Sequence, residues 1–134
     1  MPIIRTESLP IRSEQDIVFA RQAVRRLTQE LGFGLVDQTK LVTATSELAR
    51  NALVYGLGGT MVCDLLSEGA RNGLRLQFID QGPGIADVAQ AMTDGWTSGQ
   101  GLGLGLSGAK RLVGEFSIES VPGQGTTVTI ARWR

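Results

Sequence analysis

Glu47 and Asn51 stand four residues apart, the spacing that puts two side chains on one face of a helix. A carboxylate and an amide so placed can hold a divalent cation and orient an incoming nucleophile. Leu48 and Ala52 belong to the adjoining apolar stripe, so the pair falls at the edge of a buried face. The same two residues would equally suit a solvated helix surface, and the pair alone does not choose. A second carboxylate, Asp80, ends a stretch in which Leu74, Leu76 and Phe78 alternate with Arg75 and Gln77. It has the parity of the apolar side, and a carboxylate there needs a partner. Gln81-Gly82-Pro83-Gly84 follows, and its glycines let the backbone approach a flat ring closely. Asp80 can then accept from an exocyclic amine such as that of adenine, although an ordinary β-turn has the same composition.

Two further motifs follow. Gly101-Leu102-Gly103-Leu104-Gly105-Leu106 runs into a helical pattern. Alternate glycines expose backbone N–H groups, and the helix N-terminus behind them adds partial positive charge, which together make a phosphate cradle. The dinucleotide fingerprint spacing, Gly103-x-Gly105-x-x-Gly108, is also present, but that motif needs a strand directly before it. Asp94 to Gln100 does not read as one. A Walker motif fails because Ala109 separates Gly108 from Lys110. Gly125-Thr126-Thr127 opens the last strand, and Thr126 shares parity with Val128 and Ile130, so its hydroxyl should point inward. A threonine is also simply at home in a strand.

The elements that must position these residues are legible from periodicity. Residues 1–12 read as a short strand and a turn. Ser13-Glu14-Gln15-Asp16 has capping-box form, and Ile17, Ala20, Val24, Leu27 and Leu31 continue at helical spacing until Gly32 and Gly34. A second helix is expected from Asp37 as N-cap, carrying Leu41, Ala44, Leu48, Ala52 and Tyr55 and stopped by Gly56, Gly58 and Gly59. Strands are expected at Thr60–Leu66 and Leu74–Asp80 around a Gly69–Gly73 turn. Residues 81–105 read as loop, with one helical turn near 87–92, and helix returns over 106–113. Phe116–Val121 and Thr126–Trp133 form a hairpin across Pro122-Gly123-Gln124-Gly125. Two helices, a run of strands and a glycine-rich segment make an α+β sandwich.

Composition closes several routes. The 134 residues are expected to be one domain, 1–134. Thirteen basic residues balance thirteen acidic ones, so no positive field draws the chain to nucleic acid or an anionic membrane. The chain has no histidine, which removes a Ser-His-Asp triad, a histidine-bearing zinc site and a phospho-accepting histidine. Its single cysteine, Cys63, lies in an apolar run and reads as a buried hydrophobe. With no signal pattern and no apolar run long enough to span a bilayer, the expected location is the cytoplasm.

In this order, E-x-x-x-N, D-x-G-x-G, G-x-G-x-G and G-T resemble the four nucleotide-binding boxes of the GHKL ATPases. That superfamily includes gyrase-type and mismatch-repair ATPases, histidine kinases and anti-sigma-factor serine kinases. Within it the chain is most similar to the serine/threonine kinases of the anti-sigma-factor group and the stressosome switch kinases. Ala20-Arg21-Gln22, Glu30–Gly34, Ser46–Asn51, Asp94–Ser98 and Gly101–Gly108 followed by Lys110-Arg111-Leu112 carry that likeness.

The resemblance implies a Bergerat fold, a two-layer α/β sandwich with helices on one face of a mostly antiparallel sheet. It implies ATP and Mg²⁺. Asn51 would ligate the metal, and Asp80 would take the adenine amino group, with Gly82 and Gly84 in the turn beside the ring and Thr126 bonding nearby. Gly101, Leu102, Gly103, Leu104 and Gly105 would hold the phosphates, and a lid would run from about Asp87 to Gly103. Glu47 would be the general base, and Arg50 is a candidate source of positive charge in the transition state. The acceptor would be a serine or threonine on a STAS-domain scaffold or antagonist protein, whose phosphorylation releases the kinase to a downstream regulator. The alternative is a nucleotide-dependent binding module that sequesters a partner without turnover. The carboxylate at position 47 argues for catalysis, because a pure binder has no evident need of it.

Overall fold

Ser13 accepts a hydrogen bond from the backbone N–H of Asp16 and starts α1 (Glu14–Glu30). Asp16 returns a bond to the N–H of Arg12, one residue before the N-cap. The helix ends in a left-handed Gly32, with Gly32 N–H donating to Gln29 and Phe33 N–H to Thr28. That closing pattern satisfies two carbonyls the helix itself leaves unpaired. The computed structural model describes residues 3–84 and 109–134. The expected lid, the helical turn near 87–92, the start of the 106–113 helix, and Gly101, Leu102, Gly103, Leu104 and Gly105 lie outside the described residues.

α2 spans Leu35–Val54 and begins three residues before the position expected. Gly34, not Asp37, is its N-cap, and no side chain caps it. Asp37 lies in the first turn, where its charge favours the helix N-terminus, and it pairs with Arg132 at 3.0 Å. The strands are β1 (Ile3–Ile11), β2 (Gly59–Glu68), β3 (Arg71–Asp80), β4 (Glu115–Val121) and β5 (Gly125–Trp133). They form one sheet in the order β1-β2-β3-β5-β4, and every described neighbour pair is antiparallel. The β2–β3 turn is tighter than expected, because Glu68 still pairs with Arg71. β1 is a full nine-residue strand where a short one was expected. Its inward positions include Arg5 and Glu7, which pair with Glu30 and Arg26 of α1, so no apolar alternation advertises it.

α1 and α2 cover one face of the sheet. Met61, Cys63, Leu65, Leu74, Leu76, Phe78, Val128 and Ile130 share a core with Ala20, Val24, Leu27, Leu41, Ala44 and Leu48. Each large side chain in it contributes roughly 1.5–3 kcal/mol by leaving water. Cys63 belongs to that core, and burial pushes its thiol up to about 12. The opposite face of the sheet holds a polar cluster: Asp64 accepts from Arg75 at 2.8 Å and from Thr6 at 2.7 Å. Among the described residues no helix is long and apolar enough to cross a membrane.

Candidate nucleotide site

The antiparallel register sets one row of residues across four strands. Gly59 of β2 pairs with Asp80 of β3, Asp80 with Thr126 of β5, and Thr126 with Ser120 of β4. Paired residues point to the same side of a sheet, so Asp80, Thr126 and Ser120 project together. They do so at the end of the sheet where α2 terminates. The α2 end delivers Gly56 onto Asp80: a Cβ at Gly56 would overlap the Asp80 carboxyl group. Gly82 lies back against Gly56, where a Cβ would come within 2.6 Å of the Gly56 Cα. Gly125, at φ +124°, crosses the Asp80 carbonyl in a conformation side chains rarely adopt. Gly84 packs on the Val121 carbonyl in the β4–β5 turn region. The sequence named Asp80, Gly82, Gly84 and Thr126; the structure brings these four together.

Asp80 is half-buried, and its Oδ1 accepts from the Gly82 N–H at 3.0 Å. Burial raises its carboxyl above the ordinary value, and backbone hydrogen bonds from Gly82 and Thr126 oppose that rise. No basic side chain pairs with it among the described residues. A carboxylate in this setting, held by backbone donors alone, retains acceptor capacity for an amine. Thr126 is buried as its parity predicted, and its Oγ1 lies 2.8 Å from Ser120 Oγ.

Asn51 and Glu47 sit one turn apart on α2. Asn51 is partly buried, and among the described residues its Nδ2 is a buried donor without a partner. Such an atom is costly to leave unmade. An anionic oxygen, such as one of a phosphate, would satisfy it and leave the amide oxygen for a hard cation, so the residue fits a magnesium-bound phosphate. The Asn51 carbonyl also receives the N–H groups of Tyr55 and Gly56, which ties this residue to the glycine lying on Asp80. Glu47 is exposed, the state a base needs if its substrate is a hydroxyl on another protein. Arg50 is turned toward α1, where it reaches both Glu14 oxygens at 3.2 Å.

Two contributors were not singled out from the sequence. Gly56 read only as a helix stop, although its place five residues beyond Asn51 and its contact with Asp80 make it part of the wall. Ser120 read only as a strand residue. A groove of about 420 Å³ lies along α1, lined by Val18, Arg21, Gln22, Arg25 and Val42 among others. It contains none of the residues above, whereas a second groove, of about 350 Å³, is lined by Gly56, Gly59 and Gln81 among others and adjoins the Asp80 wall.

Residues 36–134 match the family described as Histidine kinase-, DNA gyrase B-, and HSP90-like ATPase. The chain is 46% identical over 123 residues to the serine/threonine-protein kinase RsbT of Bacillus subtilis (strain 168), covering 92% of each chain. It is 25% identical over 127 residues to an anti-sigma F factor of Thermoanaerobacter sp. (strain X514), covering 92% of this chain and 89% of that one. Among solved structures, the RsbU and RsbW domains of a Mycobacterium tuberculosis protein superpose with a TM-score of 0.66 at 24% identity. That match covers 97% of this chain and 33% of the other, and shows the shared fold.

Proposed function

This chain belongs to the family of histidine kinase-, DNA gyrase B- and HSP90-like ATPases, and we propose that it transfers the γ-phosphate of ATP to a serine or threonine of a separate regulatory protein. The observation that carries the nucleotide part is the Asp80 cluster: a half-buried carboxylate whose donors among the described residues are backbone N–H groups, walled by Gly56, Gly82 and Gly125. The 46% likeness to a serine/threonine-protein kinase over nearly the whole chain supports transfer to a hydroxyl. Residues 1–134 act as one catalytic domain in this reading, and the work takes place in the cytoplasm.

The residues divide the labour. Asp80 accepts from the adenine amino group, with Gly82 and Gly84 beside the ring and Thr126 close by. Asn51 donates through its buried side-chain N–H to a phosphate oxygen and would offer its side-chain amide oxygen to Mg²⁺. The ion, when bound, neutralises charge on the phosphates. Gly101, Leu102, Gly103, Leu104 and Gly105 present backbone N–H groups to the remaining phosphate oxygens. Glu47 removes the proton from the incoming hydroxyl as the new P–O bond forms and ADP leaves. Transfer of this kind rests on positioning and electrostatics more than on covalent work by the protein. The acceptor is a STAS-domain scaffold or antagonist, and its phosphorylation frees the kinase for a downstream regulator.

Nucleotide-dependent sequestration without turnover is the second reading, favoured by the likeness to anti-sigma F factors. Glu47 separates the two. A general base contributes about 10²–10⁴-fold, so Glu47→Ala should keep Mg-ATP binding and partner capture yet lose phosphoryl transfer by roughly that factor. The assay is phosphate incorporation into a purified STAS-domain partner, run beside nucleotide titrations. Wild-type transfer by the variant would move the base elsewhere. No transfer by the wild-type protein would leave the sequestering module.

A further inference from the structure

Residues 55–58 link the end of α2 to β2, and the glycines of this stretch answer to close contacts. A Cβ at Gly56 would overlap the Asp80 carboxyl group, and one at Gly59, the first residue of β2, the Ile79 carbonyl. Gly58, at φ +101°, returns its N–H to the Ala52 carbonyl at 2.8 Å. Leu57 stands among them at φ +62°, the one non-glycine residue with positive φ among the described residues. Glycine or asparagine ordinarily fills such a left-handed position after a helix, because a Cβ there crowds the following carbonyl oxygen. Leu57 is also 81% exposed, so burial does not offset the strain. The residue leaves the free protein both strained and apolar at its surface. It lines the groove of about 350 Å³ beside Arg12, Thr60 and Gln81. Among the described residues that lining carries the charge of Arg12 and no carboxylate. Gly56 closes the groove on one side and lies on Asp80, with its N–H on the Asn51 carbonyl, so Leu57 stands at the rim of the nucleotide wall.

We propose that Leu57 is a docking anchor for the acceptor protein. It enters an apolar pocket beside the acceptor hydroxyl on that protein, and Arg12 meets a carboxylate at the pocket's edge. Two features select this occupant. The groove is continuous with the wall that holds the nucleotide, where a hydroxyl must arrive, and its one charge is positive. The assignment rests on transfer to a separate protein and supplies that reaction with a docking surface. Burial of Leu57 in the complex then offsets the strain that the free protein carries.

The test pairs two signs. A purified STAS-domain acceptor is titrated by calorimetry into wild type, Leu57→Asn, Leu57→Met and Arg12→Gln, and phosphate incorporation is followed with each. Leu57→Asn should weaken acceptor binding and raise the KM for the acceptor by about tenfold or more, the effect of losing one buried leucine. Its affinity for Mg-ATP should not change. Leu57→Met keeps an apolar side chain of similar reach and should keep acceptor affinity. Arg12→Gln should weaken the acceptor by a smaller factor that shrinks in high salt. In denaturant, Leu57→Asn should unfold no earlier than wild type, because asparagine tolerates the left-handed backbone. A purely structural leucine would instead lower stability and leave acceptor affinity alone. Equal acceptor affinity in wild type and Leu57→Asn would overturn the docking role. So would a loss confined to Mg-ATP, which would assign Leu57 to the nucleotide, or a loss confined to self-association by light scattering, which would assign it to a second copy of the chain. If wild type binds the acceptor without phosphorylating it, the transfer reading fails alone, and the Leu57→Asn titration still decides the docking. A wild type that binds no STAS-domain acceptor overturns both.

Discussion

Asp64 and Asp80 are carboxylates on neighbouring strands of one sheet, and their surroundings differ in kind. Asp64 is 4% exposed and fully answered: Arg75 bonds it twice, at 2.8 and 3.1 Å, and Thr6 donates at 2.7 Å. Its partners sit on β1 and β3, so the cluster staples three strands on the face away from the helices. Asp80, at the strand end, has the backbone N–H groups of Gly82 and Thr126 and no cation among the described residues. Glycines crowd it where side chains could have paired with it. The first carboxylate is finished within the fold; the second keeps acceptor capacity for something the fold does not supply.

Replacing Asp64 should therefore be a folding defect. Asp64→Asn should lower stability by about 2–4 kcal/mol in denaturant unfolding, the lower end because Arg75 is a quarter exposed and can reach water. Nucleotide affinity of the folded fraction should not change. The pair Asp64→Leu with Arg75→Met should return to within about 1 kcal/mol of wild type, since replacing both charges removes the desolvation cost with the attraction. A double variant no more stable than Asp64→Asn would mean that the cluster does more than staple strands.

A third carboxylate sets the lower bound. Glu7 pairs with Arg26 at 2.8 Å and Arg5 at 3.2 Å at the rim of the molecule. Its hydrogen bond to Arg26 outweighs the opposing effect of burial and, with the charges of Arg26 and Arg5, holds its carboxyl below the ordinary value. A depressed carboxyl stabilises the fold fully above its unfolded value near 4.5, and the contribution is lost as pH falls through the lower folded value. Glu7→Gln should cost about 0.5–1 kcal/mol at neutral pH and less in high salt. The difference from wild type should disappear in acid. A cost that persisted well below pH 4.5 would point to packing in place of charge.

Much of this contrast was readable before the fold was known, and the part that was not has a physical reason. Strict alternation placed Asp80 on the inward side, and the parity of Thr126 with Val128 and Ile130 did the same for its hydroxyl. The order of the motifs then carried the family. The Asp64–Arg75 pair depended on register, and the glycines between 69 and 73 suggested a wider turn than the one formed. Once Glu68 pairs with Arg71, Asp64 must face Arg75. The start of α2 was missed because Asp37 is the stronger N-cap by type. Gly34 took that place, leaving Leu35 and Val36 exposed in the first turn. β1 was read as short because its inward residues are charged and answer to α1, a contact no local pattern announces.

The comparison turns on Asp80, and one variant addresses it. Calorimetric titration of Mg-ATP into Asp80→Asn should show affinity weaker by about 1–3 kcal/mol, the cost of losing a buried acceptor matched to an amine. Its sign for the fold should be opposite to that of Asp64. Burial raises the Asp80 carboxyl, so the ionised group opposes folding above its unfolded value. The neutral asparagine should consequently unfold no earlier than wild type at neutral pH. Weakened nucleotide binding in a protein at least as stable as its parent is the predicted result. Unchanged ATP affinity in a folded Asp80→Asn protein would contradict the assignment of this site to the nucleotide base.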